Sequence, residues 1–442
     1  MRDSTITEAD LATFHETVAR LRALPADDPV RLKAERVAES FAREGRKNRR
    51  KVRGEEHARA DAAVDASTAT GALDRREDAP LPPVEDAVAL ELSRARRCYV
   101  CKDFYQRADA FYHRLCPSCA RENTERRGAR ADLTGRRALL TGGRVKIGFQ
   151  VALMLLRDGA ELMVTTRFPR DARRRFEEAA GSEEWLHRLT LVGIDLRDPR
   201  QVLGLTESLR EDGRPLDVLV NNAAQTVRRP PESYAALIAG ETGVPPNALL
   251  APGFSPMLAL EQSHGALALA EIDEAGLLPD TAPVNSWSAR VGELDAAEVL
   301  ETQLVNALAP TLLCDRLLPL LLASPHPRRY VVNVTAVEGR FAVRNKTSGH
   351  PHTNMAKAAL NMLTRTSGPE LAGQGVYMCS VDTGWITDEN PAPKKARLAE
   401  HGFRTPLDVV DGAARVYDPI VRGEAGAPVA GVFLKDYREA AW

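Results

Sequence analysis

Four cysteines form the clearest set of metal ligands in this sequence. Cys98 and Cys101 make one Cys-x-x-Cys pair, and Cys116 and Cys119 make a second pair after fourteen intervening residues. Two such pairs supply four thiolates for one tetrahedral zinc ion, and a site with every position filled is structural rather than catalytic. Four unligated thiols or two disulfides are the alternatives. The spacing does not say whether the module serves nucleic acid, a protein partner or the stability of the fold.

A glycine-rich turn is the second group with a clear chemistry. The segment LLTGGRVKIGF, from Leu139 to Phe149, joins an apolar strand pattern to an amphipathic helix pattern. The start of a helix offers free N–H groups and the positive end of its dipole to an anion. The sequence therefore predicts a pyrophosphate site at this turn. Its candidate residues are Thr141, Gly142, Gly143, Arg144, Lys146, Ile147 and Gly148.

The elements that must hold these groups alternate along residues 133–442. Strand patterns lie at 137–141, 161–166, 189–195, 216–221, 330–334, 376–382 and 431–434, and helical patterns lie between them, at 147–158, 199–211, 297–321 and 353–371. Buried strands that alternate with helices imply right-handed crossovers. We therefore predict an α/β fold with a doubly wound, parallel Rossmann sheet, preceded by a small four-cysteine, zinc-ribbon-like module and a helical and disordered N-terminal region.

The order of short motifs in residues 133–442 resembles the short-chain dehydrogenase/reductase family. The matching positions are Thr141–Gly148 in the cofactor loop, Asp195 and Leu196 at the adenine, Asn221–Ala224 at a strand end, Asn306 in the active-site helix, Asn333–Gly339 in the serine-bearing strand, Lys357 of the Tyr-x3-Lys pair, and Thr383–Trp385 near the nicotinamide. The resemblance implies a nicotinamide dinucleotide cofactor. Asn222, Ala223, Lys357, Thr383 and Gly384 are further contacts that it implies.

Charge at the second strand indicates which form of the cofactor binds. This strand ends in Thr165-Thr166-Arg167, where an NAD-preferring enzyme usually places an acid for the ribose hydroxyls. An arginine there suits a 2′-phosphate, and Arg144 is expected nearby, so NADP(H) is favoured. Lys146 stands where the family usually has glycine. Either its side chain points out of the loop, or its ammonium contacts phosphate.

Two residues of the family's catalytic set are replaced. Lys357 and Asn306 are present, but the tyrosine position is Thr353 and the serine position is Ala336. A threonine hydroxyl is too weak an acid to replace the phenol. His350, seven residues before Lys357, has the tyrosine–lysine spacing of enoyl reductases and is a candidate proton donor. The alternative is a histidine that only marks the entry to a helix.

Other side chains near these positions are also candidates. Thr335 could orient a carbonyl if the strand register shifts by one residue. Glu338 and Asp382 are further ionisable candidates.

The N-terminal third has a different composition. Residues 1–54 are predicted to be helical and basic, with seven positive side chains and one negative between Arg43 and Arg53. Residues 55–93 have few large apolar side chains, so we expect a disordered linker, and residues 94–128 form the four-cysteine module. The basic run is either a solvated helix face or an arm that contacts phosphate or nucleic acid.

A long connection interrupts the alternation at about residues 225–294. It is rich in Pro, Gly and Ala. Connections of this length in α/β domains usually act as a lid or binding loop, and the alternative is a helical decoration with no chemical role.

Composition excludes several classes of protein. The chain has 442 residues with 60 basic and 61 acidic side chains, a net charge of −1, which excludes a globally basic nucleic-acid binder. No apolar stretch approaches the roughly 18 residues of a membrane span, and the N-terminus lacks a signal-peptide pattern. We therefore expect a cytoplasmic protein that does not contact a membrane.

Two functions agree with these observations. The first is an NADP(H)-dependent oxidoreductase that acts on a small carbonyl or enoyl substrate with a non-standard proton donor. The second is a catalytically inactive NADP(H)-binding scaffold or sensor whose zinc module and basic arm bind a protein or nucleic acid. The resemblance also implies a homo-oligomer, a dimer or tetramer, formed through the two long helices that flank the active site.

Overall fold

The computed structural model describes residues 5–84, 90–255, 272–278, 280–282, 284–343 and 346–442. The chain divides into two compact units. One contains Met1–Ala63 with Leu92–Arg94, and the other contains Val64–Glu91 with Ala95–Trp442.

The first unit is helical. α1 spans Glu8–Arg22 and begins with a capping box, in which Thr7 and Asp10 bond each other's backbone N–H. α2 spans Pro29–Ala66 and carries the basic run, and none of its described residues is buried. The predicted helical, basic N-terminal region is therefore present as an exposed helix, longer than expected.

The second unit is built on a parallel sheet. Its strands are β3 (Arg137–Thr141), β4 (Glu161–Thr166), β5 (Leu189–Gly193), β6 (Val218–Asn221), β7 (Ala248–Leu250), β8 (Arg329–Thr335), β9 (Val376–Asp382), β10 (Phe433–Lys435) and β11 (Arg438–Ala440). Across the described residues the strand order is β11-β10-β9-β8-β6-β3-β4-β5-β7, and only β11 runs antiparallel to its neighbour. The chain order reverses beside β3, which places the glycine-rich turn at the switch point where such folds bind ligands.

Helices cover both faces of this sheet. The helices are α4 (Lys146–Arg157), α5 (Pro169–Glu177), α6 (Ser182–Trp185), α7 (Pro199–Asp212), α8 (Ala235–Gly240), α9 (Ala296–Gln303), α10 (Ala309–Leu322), α11 (Pro351–Gly373), α12 (Ala392–Glu400) and α13 (Val409–Glu424). One core packs α4, α5 and α13 against the sheet, and the other packs α7, α10 and the end of α11 against its opposite face. This arrangement confirms the predicted doubly wound α/β fold.

The four-cysteine module precedes the sheet. β1 (Leu90–Arg97) pairs antiparallel with β2 (Phe104–Ala108), and α3 (Pro117–Arg127) follows. The expected disordered linker at 55–93 is wrong for the residues described there. α2 continues to Ala66, and beyond it Thr68 and Thr70 are buried, with Thr70 Oγ1 2.8 Å from His113 Nδ1. The small side chains pack against the module, a contact that composition does not reveal.

The long connection is only partly described, because residues 256–271 lie outside the described ranges. Its described part includes a 3-10 turn at Pro231–Tyr234, helix α8 and strand β7. β7 adds to the sheet beside β5, and no strand pattern had predicted it.

The helix at Ala296–Leu322 corrects the expectation that no apolar stretch nears membrane length. By length and composition its 27 residues could cross a membrane, with a mean hydropathy of 1.4 in the most apolar window. However, 56% of that window is buried inside the fold, so a core helix accounts for its composition.

Candidate functional site

The four cysteine sulfurs converge as the sequence predicts. The Sγ atoms of Cys98, Cys101, Cys116 and Cys119 all lie within 4.8 Å of one another. Cys101 Sγ and Cys116 Sγ are 3.7 Å apart, close to the ~3.8 Å edge of a tetrahedron with metal–sulfur bonds of ~2.3 Å. No disulfide joins these residues in the described part of the chain. The donor set therefore fits a soft, tetrahedrally coordinated metal.

The protein backbone supports this cluster. The Cys116 N–H donates to Cys98 Sγ at 3.3 Å. Cys116 is also the N-cap of α3, so the second cysteine pair lies at the positive end of a helix dipole, which favours thiolates.

The glycine loop between β3 and α4 is braced from β6. Thr141 Oγ1 accepts hydrogen bonds from the N–H groups of Asn222 and Ala223, both at 3.0 Å. The Asn222 amide donates back to the carbonyls of Thr141 and Gly142, at 3.0 and 2.9 Å. These predicted cofactor residues thus shape the loop from behind.

Two glycines in the loop are required by space. A Cβ on Gly142, which has φ +69°, would lie 2.9 Å from Ala223, and a Cβ on Gly148 would lie 2.1 Å from the Gly142 carbonyl oxygen. The loop and the first turn of α4, with Ile147, can therefore approach one another closely. This is the cradle that a pyrophosphate needs at a helix N-terminus.

The Lys146 side chain is paired with carboxylates from other segments of the chain. Its φ of +54° is left-handed, a conformation that favours glycine. The Nζ atom lies 2.8 Å from Asp78 Oδ2 and 3.7 Å from Glu389 Oε1. Burial alone would lower the pKa of Lys146, but Glu389 and Asp78 raise it above its usual value. The ammonium is thus occupied by two carboxylates.

Two arginines near the end of β4 have different surroundings. Arg144 is buried, bonded to Asp171 at 2.5 Å and to the Ala275 carbonyl at 2.8 Å. Arg167 stacks over Tyr234, with its guanidinium carbon 4.7 Å from the ring centroid, and no ion pair joins it to a carboxylate within the described ranges. Of the two, Arg167 is the one available to an anion.

The end of β5 is occupied by internal contacts. The Asp195 carboxylate is bonded to Arg197 at 2.5 Å, while Leu196 is buried in the core beneath α7.

Lys357 lies on α11 beneath the end of β8. Its side chain is buried, and Nζ donates to the Val334 carbonyl at 2.9 Å. Burial lowers the pKa of this ammonium to about 8. Gly339 fits tightly against the same helix turn, since a Cβ there would lie 2.8 Å from Lys357 Cβ. The lysine is therefore held in place from β8 and the turn that follows it.

Asn306 lies where the long helix changes its winding. Leu304–Leu308 forms a π-helical turn between α9 and α10, a feature often found at functional sites. The Asn306 amide holds both backbone groups of Gln225: Oδ1 accepts from its N–H at 2.7 Å, and Nδ2 donates to its carbonyl at 3.0 Å. Asn306 thereby ties the long connection to the helix.

His350 caps α11 in a left-handed conformation, with φ 43°. Its ring stacks on Trp287, with centroids 3.9 Å apart, and Nδ1 lies 2.8 Å from the Trp287 carbonyl oxygen. Burial lowers the pKa of the imidazole, and Nε2 is buried without a partner among the described residues. The carbonyl must accept, which assigns the proton to Nδ1 and leaves a lone pair on Nε2.

Thr353 shares the face of α11 that carries Lys357, since the two are one turn apart. Its Oγ1 is buried and, in the part of the chain described, has no hydrogen-bond partner. Thr353 and Lys357 thus lie on one face of α11, and His350 precedes them as the N-cap.

Thr335 is the last residue of β8. β8 and β9 pair in unbroken register from Arg329–Val376 to Thr335–Asp382. The Thr335 hydroxyl donates to the Lys357 carbonyl at 3.4 Å and braces the helix. Asp382 accepts from the Val337 N–H at 2.9 Å, and burial raises the pKa of its carboxyl to about 6.

The turn Thr383–Trp385 follows β9. Gly384 has φ +82°, so the turn needs a residue that tolerates the left-handed region. The Trp385 N–H donates to Tyr99 Oη at 2.9 Å.

Several residues near the site could not be predicted from the sequence. Asp78, Trp287 and Glu389 lie outside the motifs, and Tyr99 lies inside the first Cys-x-x-Cys pair, where nothing marks its side chain as a neighbour of the site. The one sign in the sequence is Lys146, which stands where a glycine is expected in the glycine-rich loop.

Comparisons with known proteins give the following similarities. The family profile described as short chain dehydrogenase matches residues 136–236. An uncharacterized protein of Acanthamoeba polyphaga mimivirus is 31% identical over 352 residues, which cover 74% of this chain and 71% of that protein. A probable oxidoreductase of Streptomyces antibioticus is 40% identical over 92 residues, 21% of this chain and 30% of that protein. Among solved structures, the RhlG/NADP active-site complex of Pseudomonas aeruginosa is 21% identical, with a TM-score of 0.46, and covers 69% of this chain and 95% of that chain.

Proposed function

Because the chain belongs to the short-chain dehydrogenase/reductase family, we propose that it is an NADP(H)-dependent oxidoreductase acting on a small carbonyl or enoyl substrate. One observation carries the proposal: a glycine cradle at the switch point of the sheet shares its edge with a buried lysine on α11. These are the two features that hold the phosphates and the nicotinamide ribose in this family. When bound, the cofactor would donate the hydride in a reduction or accept it in an oxidation.

Arg167 favours the phosphorylated cofactor. Its guanidinium is partly exposed, stacks over Tyr234 and forms no ion pair within the described residues. A 2′-phosphate would gain a charge-assisted, bidentate hydrogen bond there. Arg144 supports this site indirectly, because it neutralises Asp171 beneath it.

His350 is the proposed proton-transfer residue. With Nδ1–H bound to the Trp287 carbonyl, the neutral ring presents a lone pair at Nε2, which accepts a proton from an alcohol. In the reductive direction the same atom must first be protonated, and burial, by lowering the pKa of His350, makes that form rarer at neutral pH. The Thr353 hydroxyl would contribute only a hydrogen bond.

Zinc is the proposed ion of the four-cysteine module. Four thiolates at tetrahedral spacing suit zinc in a structural role. Metal analysis of purified protein should give one zinc per chain, lost when Cys101 and Cys116 are changed to serine.

The central experiment measures binding and turnover separately. NADPH and NADH are titrated against the wild-type protein by calorimetry, and turnover is then tested on panels of carbonyl, enoyl and alcohol substrates. Arg167→Ala should weaken NADPH binding about 10- to 100-fold and leave NADH binding nearly unchanged, since a hydrogen bond to a charged group contributes about 1.5–3 kcal/mol. The exposed Arg200, paired with Asp198, provides the control as Arg200→Ala. Absence of heat with either cofactor would refute the proposal.

His350→Ala tests the proton-transfer role. Turnover should fall about 100-fold or more while NADPH affinity is kept, as expected for loss of a general acid or base. The control is His401→Ala, which removes an exposed histidine and should have no effect on turnover. Equal turnover in His350→Ala and wild type would remove His350 from the mechanism.

A catalytically inactive scaffold is the second candidate. The observation in its favour is that Ala336 and Thr353 replace both the serine and the tyrosine. The exposed basic run of α2, Arg43–Arg53, would then serve a nucleic-acid or protein partner. Intact NADPH binding with no turnover on any substrate, together with nucleic-acid binding that disappears when residues 43–53 are deleted, would favour this function.

Assembly and location complete the proposal. Large apolar side chains are exposed on the two helices that flank the site, among them Leu300, Leu308, Met355 and Met362. We propose that they bury one another in a homo-oligomer, a dimer or tetramer.

We also propose a cytoplasmic location. The cysteines are free thiols in the described part of the chain, as is usual for proteins of the reducing cytoplasm.

A further inference from the structure

Tyr99 links the four-cysteine module to the cofactor side of the sheet. It lies inside the first Cys-x-x-Cys pair, directly after Cys98. Its backbone N–H donates to the Arg114 carbonyl at 2.8 Å, which ties the pair to the chain entering the second pair. At the other end, its hydroxyl accepts the Trp385 N–H at 2.9 Å.

The segment that receives this contact is the turn after β9. Tyr99 Oη also lies 3.6 Å from the point where a Cβ on Gly384 would stand. Trp385 is half-exposed, and its ring packs against Phe403 with centroids 5.0 Å apart. The phenol hydroxyl is therefore the described acceptor for the backbone of this turn.

The module is also fixed to α13 by bonds between buried groups. Tyr112 donates to Asp411 at 2.6 Å, and Arg415 donates to Asn123 at 2.8 Å. Arg127 bonds Asp408, the N-cap of α13, through both carboxylate oxygens. Buried polar bonds of this kind are costly to break, so the module cannot shift without disturbing α13.

α13 in turn packs against the helix of the glycine loop. A Cβ on Gly412 would lie 2.9 Å from Ile147, which shows how closely α13 meets α4. The four-cysteine cluster thus connects to the proposed cofactor site by two routes, directly through Tyr99 and indirectly through α13.

We propose that Tyr99 is a positioning residue for the cofactor-binding turn Thr383–Trp385, and that a metal ion in the four-cysteine module, by fixing Tyr99, sets the affinity for NADP(H). The effect of the metal ion on NADP(H) affinity rests on the proposed function. The role of Tyr99 in positioning the turn does not depend on it. The module is then part of the cofactor site's support rather than an appended partner-binding domain.

The test compares Tyr99→Phe with Tyr105→Phe in the metal-loaded full chain. Tyr105 belongs to the same module, but its hydroxyl donates to the His113 carbonyl at 3.1 Å and does not contact the turn. Hydrogen exchange of the Trp385 amide reports on the turn without any cofactor. NADPH titration and metal content are measured on the same samples, and the wild-type protein is measured again after removal of the metal with a chelator.

Tyr99→Phe should speed exchange of the Trp385 amide and weaken NADPH binding about threefold to tenfold, the scale of one hydrogen bond, with metal content unchanged. Tyr105→Phe should change neither, and chelation should reproduce both effects. Unchanged Trp385 exchange and unchanged NADPH affinity in Tyr99→Phe would overturn the proposal. If the wild-type protein binds no NADPH, the proposed function fails, while the exchange measurement still decides whether Tyr99 positions the turn. If chelation unfolds the protein, Tyr99→Phe decides alone.

Discussion

Lys357 is a residue whose buried charge is expected to destabilise the folded protein while serving the proposed cofactor site. Its ammonium is buried with one described hydrogen-bond partner, the Val334 carbonyl, and burial lowers its pKa to about 8. An incompletely compensated buried charge destabilises the folded protein, and such residues are kept where a ligand needs them.

Lys357→Met should therefore raise the free energy of unfolding of the cofactor-free protein, by about 1–3 kcal/mol, and abolish turnover. Chemical denaturation measures the first effect. Lys395→Met, at an ion pair with Glu77 near the surface, is the control and should change stability by less than about 1 kcal/mol. A destabilised Lys357→Met would contradict this account.

The same pKa predicts how cofactor binding depends on pH. Below about pH 8 the Lys357 ammonium is charged and can bond the cofactor, and above about pH 8 it loses its proton. NADPH affinity should fall as the pH rises from 8 to 9.5, at most tenfold per unit. For the free protein the sign is opposite: the folded pKa lies below the usual 10.5, so stability rises with pH between about 8 and 10.5. Calorimetric titrations across this range should show a smaller slope in Lys357→Met.

At the scale of elements, the glycine loop is held by a segment that sequence analysis assigned to a linker. Lys146 has a left-handed backbone, and its ion pairs to Asp78 and Glu389 offset the conformational cost. These two carboxylates come from distant segments of the chain. The backbone cost and the ion-pair gain oppose each other at one residue.

Two substitutions separate these contributions. Lys146→Gly removes the ion pairs and the backbone strain together, whereas Lys146→Met removes only the ion pairs. The glycine variant should therefore be more stable than the methionine variant by about 1–2 kcal/mol, the cost of a left-handed non-glycine residue. Thermal denaturation of the two variants gives the comparison. Both variants should retain NADPH affinity within about threefold, because the Lys146 ammonium is paired with carboxylates. A tenfold or greater loss of NADPH affinity in both variants would indicate instead that Lys146 contacts the phosphate.

At the scale of the whole molecule, exposed apolar side chains on the helices beside the site predict association. Leu308 and Met355 expose 49% and 60% of their surface, so a charge at either position would be placed inside the proposed interface. Leu308→Glu and Met355→Glu should shift the protein toward monomer in sedimentation or size-exclusion measurements. Leu203→Glu, on α7 and also exposed, is the control and should leave the assembly unchanged. A wild-type protein that is already monomeric would contradict the prediction.

The sequence alone determined the architecture of the second unit. Apolar strands buried on both faces are nearly continuous in sequence, so β3, β4 and β9 end where their patterns predicted. The cysteine pairs and the glycine-rich turn were equally clear, because each is a local motif whose spacing fixes its geometry. Short elements at the sheet edges, β7 and β11, carry too few buried residues to give a pattern.

Contacts between distant segments of the chain are known only from the tertiary structure. The predicted linker packs as ordered chain around Thr70, and Lys146 turns to Asp78 rather than to a phosphate. The Thr335 hydroxyl turns to the α11 backbone, and Tyr99 reaches the turn after β9. A sequence pattern records which faces are buried, but the partner of a polar side chain is chosen by whichever acceptor or charge the folded chain brings within reach.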